Sequence, residues 1–443
     1  MQPSHTELVP ALAWGLPFAG MLACIALLPV LAPRLWHRRT ANIVAGWCML
    51  LLVPQSLAFG VGHAAHDAWH AVLTEYLPFV ALLLALFTAG GGLLVQGGPW
   101  GTPAGNTALL ALGTLLAGLL GTTGVAMVLI HPLLRAATHR GERRHLVLFF
   151  ILLCANAGGA TSPLGDPPLY IGFLHGVPFF WPLHALTAPL LVLSLPLLAA
   201  FYGIDRFFAR RDPPAPPSSK LHLRGHLNLA LLGGLIASVL LQGVWHPGAV
   251  VLLGQAIAGE KLLGIVVALL ITGLSWRYTP RAIRQANLFT WAPIQEVASL
   301  FAGLFITITP VMAMLAAGLH GPFAPVLTLL TDAAGQPIPL AYFWATGLLS
   351  AFLDNAPTYL VAFELAGADP HTLTGPLART LQAISAGAVF FGALTYIGNA
   401  PNLMVQSIAA HRGIRMPGFF GYIALASCAL LPGFLLLSVI FFR

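Results

Sequence analysis

The chain has 443 residues, of which 58% are hydrophobic and only 7% charged, where a soluble globular protein carries about 25% charged residues. A water-facing surface of this size is thereby excluded, and in lipid only helices or closed barrels pair every backbone group. The apolar stretches are rich in Leu, Ala and Gly and do not alternate, so they read as helices, and the net charge of +7 is better explained by membrane topology than by nucleic acid.

The start, MQPSHTELVP, lacks the basic region of a cleavable signal, so the first apolar segment is expected to be a retained helix. Apolar segments fall at about 11–30, 41–60, 72–97, 107–134, 146–174 and 185–208. His63, His66 and His70 precede the third, in an expected external loop. Their spacing suits a metal or pH sensor, and equally a plain solvated loop. The segment 107–134 is interrupted by Gly121-Thr122-Thr123-Gly124, as in a re-entrant hairpin that enters and leaves by one face. Leu146–Ala155 is too short for the ~20 residues a spanning helix needs, and it runs into NAGGATSPLGDPP (Asn156–Pro168), which no continuous helix would choose. The proline-rich, basic stretch 209–226 is the expected linker.

Six further segments follow, at about 227–243, 259–276, 290–318, 339–364, 381–410 and 418–441. The fourth of these is interrupted by SAFLDNAP (Ser350–Pro357). Cys24, Cys48, Cys154 and Cys428 all lie in apolar segments without metal-ligand spacing, and no disulfide framework is expected. Glu296 near the start of a helix suits either a proton path or helix-start stabilisation. Glu75 and Glu364 are expected at interfaces.

Lysine and arginine collect on cytoplasmic loops. With re-entrant hairpins and an external N-terminus, nearly all of the 20 cations fall on one side. Only Lys261, Arg379 and Arg443 lie elsewhere. The expected fold is all-α and integral to the inner membrane. It has about ten transmembrane helices, two re-entrant hairpins and both termini outside. A first repeat (1–208, hairpin 107–134), a cytoplasmic linker (209–226) and a second repeat (227–443, hairpin 339–364) would lie in inverted topology.

The repeats align at their breaks. Gly159–Pro168 (GATSPLGDPP) matches Gly392–Pro401 (GALTYIGNAP), with Gly159/Gly392, Ala160/Ala393, Gly165/Gly398 and Pro168/Pro401 identical and Ser162/Thr395, Leu164/Ile397 and Asp166/Asn399 conservative. Upstream, Thr123-Gly124 stands opposite Asp354-Asn355, 35 and 37 residues before the matched glycine. Broken backbone at membrane depth persists where it lines a polar site. Unwound carbonyls and the hydroxyls of Thr161, Ser162 and Thr395 suit a hard cation. Asp166 and Asp354 are the only carboxylates in the breaks. An intramembrane carboxylate needs a proton or a metal ion to neutralise it, which is the logic of proton–cation exchange. Both also suit helix N-caps, Asp166 before Pro167 and Asp354 before Pro357. Neither break holds Arg or Lys, which favours an inorganic cation over citrate.

NAGGATSPLGDPP, SAFLDNAPTYLV, GALTYIGNAPNLMVQSIAAHRGIRMPGFFGY and PIQEVASLFAGLFITITP resemble the NhaD-type sodium/proton antiporters and the citrate-transport group of the ion transporter superfamily. The resemblance implies a scaffold part and a moving part, elevator-type alternating access, a homodimer, and two cation sites. The first would use Thr122, Thr123, Asn156, Thr161, Ser162 and Asp166. The second would use Asp354, Asn355, Thr395, Asn399 and Asn402. The superfamily's dicarboxylate carriers show Ser-Asn-Thr at the hairpin tips, where this chain has Thr122-Thr123-Gly124 and Leu353-Asp354-Asn355. The expected function is therefore sodium/proton antiport, with sodium held by Asp166 and Asp354, no cofactor, and sodium, protons and lipid as partners. Cation-coupled transport of citrate or a related carboxylate is the alternative. An intramembrane aspartyl protease fits poorly, because Pro163-Leu164-Gly165-Asp166 lacks the Gly-x-Gly-Asp pattern and the repeat pairs Asp166 with Asn399.

Overall fold

An amide or carbonyl left unpaired in lipid costs several kcal/mol, so this chain is helical almost throughout, and glycine and proline decide where each helix stops. The computed structural model describes residues 11–213, 219–252 and 254–443. It is an all-α membrane protein in which, among the described residues, eight helices are long and apolar enough to cross a bilayer, the hairpin arm Pro103–Leu120 among them. Ala292–Thr307 and Thr309–Ala316, bent by 46° at their junction, make a ninth span if taken together. Two of the ten expected spans stand as shorter helices, His226–Gln242 with 17 residues and Ala378–Leu394.

The first half runs through Leu16–Leu31, Pro33–Phe59 and Val61–Gly90. A hairpin (Pro103–Leu120 and Thr122–Ala136), a broken helix (Arg144–Leu153 and Pro167–Leu174) and the long helix Trp181–Ala209 follow. The second half repeats the order. After His226–Gln242, Gly259–Tyr278 and the bent pair come a hairpin (Pro339–Leu353 and Asn355–Leu365), a broken helix (Ala378–Phe391 and Ala400–His411) and Phe419–Leu437.

Three expectations need correction. His63, His66 and His70 lie in the helix Val61–Ala71 rather than in a loop. Gly60, at φ 92°, turns the chain, and the alanine-rich stretch after it resumes the helix at once. At the other end the helix stops at Gly90, because three successive glycines favour release of the backbone. Leu94–Gly98 then pairs antiparallel with Ser219–Arg224, so part of the expected linker is a strand. Residues 214–218 of that linker and the first ten residues lie outside the described residues.

The two arms of each hairpin come together at its base. Arg140, past the end of the first, donates from Nη2 to Gly101 O at 3.1 Å, just before its start. In the second, Tyr342 Oη donates to Leu365 O at 3.0 Å. The two bases lie at opposite ends of the helix Leu77–Gly90, whose 14 residues span about 21 Å. Arg135 of the first hairpin donates to Val95 O (3.1 Å) beyond the helix's C-terminus. Phe363 of the second packs on His175 (5.9 Å between ring centres), which stands 4.0 Å from Glu75 before its N-terminus.

The two tips share one backbone geometry: Gly121 has φ 75°, ψ 151° and Asp354 has φ 76°, ψ 149°. Asn399 follows Asp166 by 233 residues, and Asp354 follows Gly121 by the same interval. The tip equivalence is thus Gly121-Thr122 with Asp354-Asn355, two residues away from the alignment expected from the sequence. Glycine lets the arms and broken helices pack closely. A Cβ on Gly387 would lie 2.6 Å from Phe343 O, and one on Gly347 would lie 2.6 Å from the Phe391 ring.

The foot of the first hairpin is pinned by a buried ion network. Asp205, fully buried, meets Arg140 Nη2 at 3.3 Å, His145 Nε2 at 2.9 Å and Asn106 Nδ2 at 2.9 Å. Breaking such a pair from one side typically costs about 3–5 kcal/mol, because the remaining charge stays buried. Arg140→Ala should therefore lower the thermal unfolding midpoint in detergent well below that of Arg144→Ala, whose guanidinium is exposed. Equal midpoints would refute a clamping role.

Candidate functional site

The site forms where both hairpin tips meet both broken helices. Each helix breaks because its sequence offers glycines and a proline where an α-helix needs amides and Cβ atoms. Gly159 and Gly165 are packed against each other so closely that a Cβ on Gly165 would lie 2.1 Å from Gly159 O. The chain restarts as helix at Pro167, and in the second half at Ala400-Pro401. Proline suits the first turn because its missing N–H would have had no partner there.

Ser162 and Thr395 do the same local work. Ser162 donates to Gly118 O, and Thr395 donates to Ala351 O, each across 44 residues. Each hydroxyl also accepts a backbone amide of its own break, from Leu164 (3.1 Å) and Gly398 (2.9 Å) respectively. These two residues tie each broken helix to its own hairpin. Thr161 is packed on the same arm, since a Cβ on Gly118 would lie 2.0 Å from its Oγ1.

At the centre stands Asp166, only 2% exposed. Its Oδ1 accepts from Thr122 Oγ1 (3.0 Å) and Asn399 Nδ2 (3.1 Å), and its Oδ2 accepts from Asn355 Nδ2. One donor belongs to the first half and two to the second, so the residues expected in two separate sites converge on one carboxylate. Asn399 Nδ2 also faces Asn156 Oδ1 (3.2 Å). Asn156 Nδ2 donates to Asn402 Oδ1 (2.7 Å), and Asn402 Nδ2 is held by Gly392 O and Thr395 O. The amide chain thus carries the site across the interface between the halves.

Every partner of Asp166 is neutral, and no described Lys, Arg or His stands within 4 Å of it. Asn355 Oδ1 is buried beside it with no hydrogen-bond partner. Carboxylate, hydroxyl and amide oxygens are the donor set of a hard monovalent or divalent cation. Asp354 turns its carboxylate onto the Asn355 amide (2.7 Å), so its capping role is real. It also lines, with Thr122, Thr123, Asp166 and Asn399, a cavity of about 60 Å³. That is room for an ion or about two waters, each of which takes about 30 Å³. The opposite wall is apolar: Leu82, Leu83, Leu86, Phe87, Ile294, Val297 and Phe301.

Glu296 lies outside this centre and accepts from Trp36 Nε1 at 2.8 Å. Beyond Phe87, Pro293 and Met404, which line both spaces, lies a much larger cavity of about 1150 Å³ walled by Arg277, Arg281 and Arg284. These arginines were read from the sequence only as topology signals. The run RYTPRAIR, three cations around a proline turn, was the available clue.

A family model described as "Putative citrate transport" matches residues 7–442. No curated protein matches the chain.

Two substitutions separate backbone from chemistry. Gly165→Ala should abolish folded, monodisperse protein in detergent, because the added carbon meets backbone rather than a movable side chain. Asp354→Gly should fold as well as the wild type or better, since a non-glycine residue at φ 76°, ψ 149° costs about 1–3 kcal/mol and Gly121 holds the same geometry. A lower melting temperature for Asp354→Gly would show that the cap outweighs the strain.

Proposed function

The chain belongs to this citrate-transport family, and from that premise we propose that it is a secondary transporter exchanging sodium for protons at Asp166, with Asp354 as an accessory cation ligand. The observation that supports this is the carboxylate at membrane depth held only by neutral donors. A bare charge there is costly, so it is stable when a proton or a metal ion accompanies it. The two compete for the same oxygens, and the orphaned Asn355 Oδ1 offers sodium one more ligand. With Asp354 protonated throughout, the centre is neutral with a proton on Asp166 and neutral again with sodium there.

In this reading the halves form inverted repeats, in keeping with hairpin bases at opposite ends of one helix. The hairpins and broken helices move as an elevator past the first three helices of each half. The apolar wall on that side of the cavity supports such sliding, since it makes no directional bonds to the polar centre. The chain sits in the inner membrane with both termini outside and the arginine-rich loops in the cytoplasm. In proteoliposomes without organic acid, a sodium jump on one side should drive protons across the membrane toward that sodium-loaded side. Asp166→Asn should reduce that movement to the level of empty liposomes. A wild-type protein that gives no proton signal with sodium or lithium would overturn the proposal.

The family's description and the arginine-walled cavity favour a second reading, cation-coupled uptake of citrate or a related carboxylate. Labelled citrate accumulating under a sodium or proton gradient would decide for it. Asp354→Asn would then alter the coupling more than the citrate affinity.

A further inference from the structure

The rim of the large cavity carries the marks of a membrane boundary. Trp276 packs on Trp291, with 4.8 Å between ring centres, yet remains 50% exposed, and Tyr278 two residues on is 62% exposed. Tryptophan and tyrosine collect at the depth of lipid headgroups. From Tyr278 an apolar stripe runs back along Gly259–Tyr278 through Leu274, Leu270 and Val266, all exposed and each four residues from the next. Residues at that interval share one helix face, and the stripe is about 18 Å long. In a bilayer such a face meets acyl chains.

The cations stand where the stripe ends. Arg277 lies over the Tyr278 ring, 5.6 Å from its centre, and lines the cavity together with Arg281 and Arg284. Arg284 is buried. Its Nη1 donates to Thr88 O (3.1 Å) and its Nη2 to Ser275 O (2.9 Å), while its Nε is buried with no partner. Its guanidinium lies over Trp276 and Phe289, with 5.0 and 4.8 Å to the ring centres. No described Asp or Glu lies within 4 Å of any of the three arginines. Guanidinium groups match phosphate oxygens two at a time, and basic pockets between membrane helices hold anionic headgroups. A choline or ethanolamine headgroup would bring a further cation to three that already lack partners.

We propose that this space is a binding site for an anionic phospholipid. Arg277, Arg281 and Arg284 hold the phosphodiester, and the acyl chains lie along Val266, Leu270 and Leu274. A soluble anion would make no use of that stripe. The site goes beyond the ion exchange at Asp166 and does not rest on it.

Native mass spectrometry of the full chain in dodecyl maltoside, titrated with dioleoyl phosphatidylglycerol or dioleoyl phosphatidylcholine, tests this without any transport step. Phosphatidylglycerol should stay bound where phosphatidylcholine is lost, and neither glycerol phosphate nor citrate should displace it. Arg277→Glu and Arg281→Glu should each weaken phosphatidylglycerol at least about fivefold, and Arg281→Lys should keep most of the affinity. Both positions are exposed, so folding is not at stake. Arg144→Glu, an exposed arginine outside the cavity, should leave binding unchanged. The proposal is overturned if phosphatidylcholine binds as tightly, or if the cavity reversals change binding no more than Arg144→Glu does. It is equally overturned if glycerol phosphate or citrate displaces the lipid, which would make the cavity a site for soluble anions.

Discussion

The architecture depends on a single electrostatic constraint: Asp166 is buried, and no cationic side chain among the described residues stands within 4 Å of it. Thr122, Asn355 and Asn399 orient its lone pairs without cancelling its charge. Because those donors come from a hairpin of each half and from the second broken helix, the carboxylate holds its shape only when all of them are assembled. The glycine contacts at Gly159–Gly165 and Gly392–Gly398, and the hydroxyl ties of Ser162 and Thr395, serve that assembly. They hold unwound backbone at a depth where water is not available to pair it.

Much of this was legible in the sequence because the breaks are chemically extreme. Stretches such as NAGGATSPLGDPP and LDNAP have no helical alternative, and their recurrence fixed which polar residues would meet. Of the residues expected at the site, Thr122, Asn355 and Asn399 meet Asp166, Asn156 and Asn402 join through the amide chain, and Ser162 and Thr395 bond within their own halves. The tip register was harder to read. Gly121 and Asp354 differ in chemistry, and only their shared positive φ reveals the correspondence. Identity of backbone conformation is invisible when one copy uses glycine and the other a capping aspartate.

The remaining misreadings have a common cause. The strand pair Leu94–Gly98 with Ser219–Arg224 and the bond between Trp36 and Glu296 depend on distant partners. Apolar periodicity reports on solvent and says nothing of which segment a backbone will meet. Likewise Arg284 was legible as a cytoplasmic signal. Its burial on Trp276 and Phe289 follows from the fold of Gly259–Tyr278 against Leu77–Gly90, which sequence spacing does not encode.

The greasy wall facing the Asp166 cavity has a consequence for fidelity. Leu82, Leu86, Val297 and Phe301 offer no dipole to solvate a passing anion. An unloaded carrier would have to carry an unshielded negative charge across hydrocarbon on its return stroke, at a cost of several kcal/mol. A loaded one crosses as a neutral unit. In the proposed exchange the wall would act as a ratchet pawl, suppressing slippage by penalising the empty trip.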